Sequence, residues 1–121
     1  MARILVVEDD TWSRRLVFDL LEMRGHDVLC AVGVTDGRAQ LNTIRFDAVL
    51  LDINIPGGGG EMLLHEIRAY NEIMPVIAFT ASAMTGDRER FLNEGFTAYL
   101  SKPIDVRSFA ETVESFLPGA E

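Results

Sequence analysis

The chain contains a single cysteine, Cys30, which excludes an internal disulfide and suits a reducing cytoplasm, the expected location. No apolar run approaches the ~20 residues that a membrane-spanning helix needs. The N-terminus MARILVVEDD is no secretory signal, because its apolar stretch is short and ends in acid. Positive charge is scarce: 11 Lys and Arg stand against 19 Asp and Glu, a formal net charge of −8. That balance disfavours direct nucleic-acid binding and attachment to an anionic membrane, and it fits a protein that binds a cation or a basic partner. The two histidines, His26 and His65, lie away from the acidic positions described below, so a zinc site is not expected. Repeats, low-complexity tracts and linkers are absent. What remains is a core-forming composition, 48% hydrophobic and 25% charged over 121 residues, the size of one domain (residues 1–121).

The hydrophobic pattern alternates between two periods. RILVVE (3–8), HDVLCA (26–31), FDAVLLD (46–52), MPVIAFT (74–80) and TAYLS (97–101) are short apolar runs that read as buried strands. Between them lie helical stripes: Trp12 to about Arg24, stopped by Gly25; a helix capped by Thr35 and running through Ala39, Leu41 and Ile44; and one carrying Met62, Leu63, Ile67 and Tyr70 after the PGGGG loop. A fourth helix is expected from Ala83 to about Asn93, stopped by Gly95. The last places Val106, Phe109, Ala110, Val113, Phe116 and Leu117 on one stripe before Pro118-Gly119. Near-continuous apolar strands separated by amphipathic helices predict an α/β fold: a doubly wound, five-stranded parallel sheet with helices on both faces. Ligands of such folds sit outside the carboxyl ends of the strands.

Those ends carry an unusual set of polar residues. The first strand leads into Glu8-Asp9-Asp10, the third ends in Asp52 with Asn54 two residues on, the fourth ends in Thr80, and the fifth leads to Lys102. Parallel strands place Glu8, Asp9, Asp52, Thr80 and Lys102 on one rim. Carboxylates gathered there raise one another's pKa unless a cation compensates, and hard oxygen donors select Mg²⁺. Each residue also has a plainer role: Asp9 or Asp10 as a helix cap, Asp52 as a turn opener, Thr80 as an N-cap, Lys102 as a surface charge. Capping alone does not readily produce acid, acid, hydroxyl and lysine at four strand ends in that order.

Four segments, ILVVEDD (4–10), VLLDINIPGGGG (49–60), VIAFTASA (76–83) and YLSKPI (99–104), resemble the receiver domains of two-component response regulators, over nearly the whole chain. Residues 80–105 are similar to receivers of hybrid histidine kinases and of single-domain, DivK-type relay regulators. The resemblance implies a flavodoxin-like receiver fold. It implies Asp52 as phosphoacceptor and metal ligand, Asp9 as a direct Mg²⁺ ligand, Glu8 acting through water, and the backbone carbonyl of Asn54 as the third protein ligand. Thr80 and Lys102 would bind the phosphoryl group, Tyr99 would follow Thr80 as a switch, Gly60 matches the loop glycine, and Lys102-Pro103 is expected to be cis. The implied donor is a phosphohistidine on a histidine kinase or histidine phosphotransferase. The implied output, in the absence of a DNA-binding or enzymatic segment after Leu117, is a downstream protein. It would meet the face made by the helix at 83–93, the strand at 97–101 and the last helix. Such a protein is a signalling switch that catalyses its own phosphorylation and dephosphorylation.

Physical chemistry supports these roles: an in-line phosphoryl transfer to a carboxylate needs cations on the equatorial oxygens, which Mg²⁺ and Lys102 supply. Two departures stand out. The acid pair is Glu-Asp, and the loop after Pro56 is all glycine. Trp12 either packs partly into the core or offers an aromatic contact to a histidine-bearing helix bundle. Rival readings fit less well. A haloacid-dehalogenase-type phosphatase requires a carboxylate where Asn54 stands, an FMN binder would not place EDDTWS against phosphate, and a degenerate receiver would not retain the rim intact.

Overall fold

The five apolar runs become β1 (Arg3–Val7), β2 (Asp27–Ala31), β3 (Ala48–Asp52), β4 (Val76–Thr80) and β5 (Ala98–Ser101). They are all parallel and lie in the order β2-β1-β3-β4-β5. This computed structural model describes residues 1–56, 59–81 and 84–119. The helices are α1 (Thr11–Glu22), α2 (Val34–Thr43), α3 (Gly59–Tyr70), α4 (Asp87–Glu94) and α5 (Phe109–Glu114).

The strand pleat sends alternate residues to opposite faces, and both faces are covered. Leu5, Val7, Val49, Leu51, Val76 and Ala78 share one core with Leu63, Leu64 and Ile67 of α3 and Phe91 of α4, with Val34 and Leu41 of α2 packed against it. Ile4, Val6, Ala48, Leu50, Ile77 and Phe79 share the other with Val17 and Leu21 of α1 and Phe109 and Val113 of α5. Each Val, Leu, Ile or Phe side chain taken out of water contributes roughly 1.5–3 kcal/mol, so this two-sided burial is the main force holding the sheet.

Several helix boundaries differ from the sequence pattern. Asp10 caps α1 by accepting the Ser13 N–H at 2.8 Å. Helix α2 begins at Val34 with Gly33 as its cap, so Thr35 lies inside the first turn and does not cap it. Gly86, at φ 89°, starts α4 at Asp87; the expected start at Ala83 lies outside the described residues. Helix α5 is shorter than its stripe. Val106 is exposed in the turn ahead of it, where the Asp105 carboxylate accepts the Arg107 N–H, while Phe116 and Leu117 follow it and still pack on the core. Gly25 and Gly95, at φ 89° and 120°, stand where helical stops were expected, in a region that favours glycine.

At the end of the sheet away from the rim, Glu114 closes the α1–α5 side. Arg24 donates to its two oxygens at 2.6 and 3.2 Å, and His26 Nε2 donates at 2.7 Å. The His26 tautomer follows from its other nitrogen, because Nδ1 accepts the Ala2 N–H at 3.1 Å. Arg24 first, then His26, hold the Glu114 carboxyl down at about 2, from an ordinary 4.5. A depressed acid contributes stability that is fully present above its ordinary value and is lost as pH falls through the folded one. The difference in melting temperature between the parent and Glu114→Gln should be open at pH 6 and close as pH falls toward 2. A gap independent of pH would show that the charge of Glu114 contributes nothing.

Candidate functional site

Register brings the polar residues together. Val7 pairs with Leu51, so Glu8 and Asp52, each one step beyond, lie side by side at the carboxyl edge. Asp52 pairs with Phe79, and Thr80 with Ser101, which leads directly to Lys102. The pleat then divides the rim. Asp52 continues the series Ala48, Leu50 toward the α1/α5 face. Thr80 continues Val76, Ala78 toward the α3/α4 face, where Tyr99 also packs.

On the α1/α5 face, Glu8, Asp9 and Asp52 each offer a carboxylate oxygen, all within 4.8 Å of one another. Glu8 and Asp52 are buried, at 0% and 3% exposure, while Asp9 is exposed. Lys102 Nζ donates to Glu8 Oε1 at 2.5 Å and to Asp52 Oδ2 at 3.5 Å, and rests 5.0 Å from the centre of the Phe79 ring. Burial, and next the hydrogen-bonding proximity of Asp52, push the Glu8 carboxyl up to about 7, against the pull of Lys102. Burial pulls the Lys102 ammonium down, but Glu8 and Asp52 more than offset it and its pKa is raised. One ammonium therefore serves two buried carboxylates, with a third acid at the opening. This donor set fits a hard divalent cation such as Mg²⁺. The Lys102-Pro103 peptide is cis.

Asn54 connects the two faces. Its backbone N–H donates to Asp52 Oδ1 at 2.8 Å, and its side-chain oxygen accepts the Thr80 hydroxyl at 2.8 Å and the Ala81 N–H at 3.1 Å. Gly60 lies so close to the end of β3 that a Cβ there would meet the Asp52 carbonyl oxygen at 2.7 Å and Ile53 Cα at 3.0 Å; only glycine lets α3 start this near. Gly57 and Gly58 of the same loop, and Ser82 after β4, lie outside the described residues.

Two contributors were not evident from sequence. Arg14 Nη1 donates to the carbonyls of Glu8 at 2.9 Å and Asp9 at 3.3 Å, fixing the acidic loop from behind. A cation in the first turn of a helix opposes the helix dipole, and that placement was the available signal. The other is the Asn54 side chain, which the motif marks only through its carbonyl. Trp12 is 79% exposed at the start of α1, so its packing reading is wrong.

Tyr99 stacks on Phe91 with ring centres 5.5 Å apart, and its buried hydroxyl has no hydrogen-bond partner among the described residues. Removing such an orphaned group should stabilise the fold. Tyr99→Phe is expected to gain about 1 kcal/mol, near 4 °C in melting temperature for a domain of this size. An unchanged or lower melting temperature would mean that the hydroxyl is satisfied in solution.

The sequence matches the family model of the response regulator receiver domain over residues 4–114. The chain belongs to that family. The polar-differentiation response regulator DivK of Brucella anthropi is 35% identical over 119 residues, 97% of each chain. Its counterpart in Brucella ovis is 36% identical over 122 residues, again covering 97% of each. Among solved structures, a CheY-like receiver domain protein from Methanospirillum hungatei superposes with a TM-score of 0.86 at 30% identity, covering 95% of this chain and 92% of that one. The receiver domain of Francisella response regulator 1452 superposes at 0.87 with 26% identity and 96% coverage of each. The protein is thus a receiver domain of two-component signalling with the expected α/β architecture, and its acidic cluster suits the Mg²⁺ that receivers typically bind. No helix among the described residues is long and apolar enough to cross a membrane.

Proposed function

We propose that this domain, spanning residues 1–121, takes a phosphoryl group from a phosphohistidine of a histidine kinase or phosphotransferase onto Asp52, then loses it to water. The observation that carries this reading is the buried Asp52 carboxylate, beside Glu8 and Asp9 and under Lys102, with both oxygens already hydrogen-bonded. One Asp52 oxygen attacks phosphorus as the P–N bond to imidazole breaks, and the leaving imidazole nitrogen takes its proton from solvent. Lys102 neutralises charge on the transferring group, and Thr80 donates its hydroxyl to it. Asp9, Asp52 and the Asn54 carbonyl would hold Mg²⁺, with Glu8 reaching it through water; the ion supplies charge neutralisation and alignment of the two anions.

Trp12, exposed one turn from Asp9, is the proposed contact for the donor's helices, since exposed Trp side chains are enriched among binding hot spots. Output is proposed through the α4–β5–α5 face. Movement of Thr80 toward the phosphoryl group would alter the packing of Tyr99 against Phe91 and so change the surface a partner meets.

The test is incubation with acetyl phosphate or phosphoramidate, with and without Mg²⁺, read by intact mass. One phosphoryl group is expected, absent under EDTA and released by hydroxylamine, as an acyl phosphate requires. No adduct from any small donor, or one resistant to hydroxylamine, would oppose the reading.

A further inference from the structure

The hydrogen bonds around Asn54 point beyond its backbone carbonyl. A backbone N–H can only donate, so the Asn54 side-chain atom 3.1 Å from the Ala81 nitrogen must be the carboxamide oxygen. The Thr80 hydroxyl then donates to that same oxygen, at 2.8 Å. Thr80 is 2% exposed and lies on the sheet face opposite Asp52, while the Asn54 N–H is bonded to Asp52 itself. One residue therefore touches the nucleophile with its backbone and secures two donors at the end of β4 with its side chain.

We propose that the Asn54 carboxamide oxygen is a resting-state stand-in for the phosphoryl group, holding Thr80 and Ala81 until phosphorylated Asp52 takes them over. This rests on Asp52 being the phosphoacceptor. Phosphoryl oxygens are charged acceptors and outcompete a neutral carboxamide for the same donors. The switch is driven only by the difference between the two sets of bonds, so whatever the Asn54 contacts contribute to the resting state is subtracted from the drive to the active one. Asn54 is in this sense a positioning residue that sets how readily the domain switches.

Beryllofluoride with Mg²⁺, a phosphoryl mimic, provides the measurement. Asn54→Ala keeps the backbone carbonyl and removes the competing acceptor, so beryllofluoride should bind roughly thirty-fold more tightly than to the parent, the worth of the two hydrogen bonds removed. In the metal-free protein without beryllofluoride, the Thr80 and Ala81 NMR signals of Asn54→Ala should move toward their positions in the parent's beryllofluoride complex. Asn54→Asp retains an oxygen in the same place and should hold both signals near the parent's resting positions. A purely structural role would lower the melting temperature of Asn54→Ala without tightening beryllofluoride binding. Equal or weaker binding by Asn54→Ala, with the parent binding normally, overturns the proposal. If the parent does not bind beryllofluoride, the assignment of Asp52 fails first, and the proposal fails with it.

Discussion

Asp52→Asn should take up no phosphoryl group from acetyl phosphate, while the parent acquires one. The substitution is nearly isosteric, so β3, its pairing with Phe79 of β4 and the Asn54 N–H contact are retained. What disappears is the charged oxygen proposed to attack phosphorus and one of the three clustered acids able to hold a cation. A neutral amide oxygen is a poor nucleophile, and no other acid of the cluster has the same support. Glu8 is occupied by Lys102 at 2.5 Å, and Asp9 is exposed. Removing Asp52 also relieves Glu8, whose carboxyl is raised by burial and then by Asp52. The variant should therefore melt above the parent at pH 8 without Mg²⁺, and millimolar Mg²⁺ should raise its melting temperature less, because ligand stabilisation follows affinity for the native state. Undiminished labelling of Asp52→Asn would remove the assignment.

Lys102→Ala is expected to cost about 3 kcal/mol at pH 8, the range for breaking one side of a buried ion pair. The partners make this a strong case, since the Glu8 side chain is 1% exposed and that of Asp52 3%. The loss should depend on pH in a definite direction. Glu8 is an acid whose folded pKa, about 7, lies above its ordinary 4.5. Its contribution to stability is therefore most favourable below 4.5 and is lost as pH rises through 7. Without the ammonium that loss deepens, so the melting gap between parent and variant should be wide at pH 8 and narrow at pH 5. Mg²⁺ should narrow the gap at pH 8 by replacing the missing cation, though it cannot restore phosphoryl uptake. A gap constant with pH and indifferent to Mg²⁺ would show that Lys102 does not serve the carboxylates.

The central strands were legible because they are buried on both faces, which leaves an apolar run with few exceptions. Ile4 to Val7 and Val76 to Phe79 are buried throughout, while the edge strands β2 and β5 are partly exposed yet keep enough apolar residues to read as strands. The rim was legible for a related reason. Glu8, Asp52 and Thr80 each interrupt such a run at its carboxyl end, and parallel pairing carries all the ends to one edge. Helix boundaries were less so. Gly33 caps α2 without a side-chain bond, so the hydroxyl of Thr35, two residues on, drew the boundary to itself. Val106 keeps helical spacing with Phe109 and Val113, yet the Asp105 turn leaves it in solvent. Met62 and Tyr70 of α3 are likewise exposed, because two of the helical positions between them, Leu63 and Ile67, together with Leu64, already fill the groove. The Asn54 side chain meets Thr80 and Ala81 at the end of another strand, 26 and 27 positions away, which spacing along its own segment does not encode. Arg14 reaches back only to the carbonyls of Glu8 and Asp9, a local contact whose one sequence sign is a cation in the first turn of α1.

The most direct test of the account is to locate the acyl phosphate. Protein treated with acetyl phosphate and Mg²⁺ is reduced with borohydride, which converts a phosphorylated aspartate to homoserine, and the digest is sequenced by mass spectrometry. Homoserine is expected at position 52 and nowhere else. Homoserine at position 9, or at any other aspartate with 52 unmodified, would contradict it.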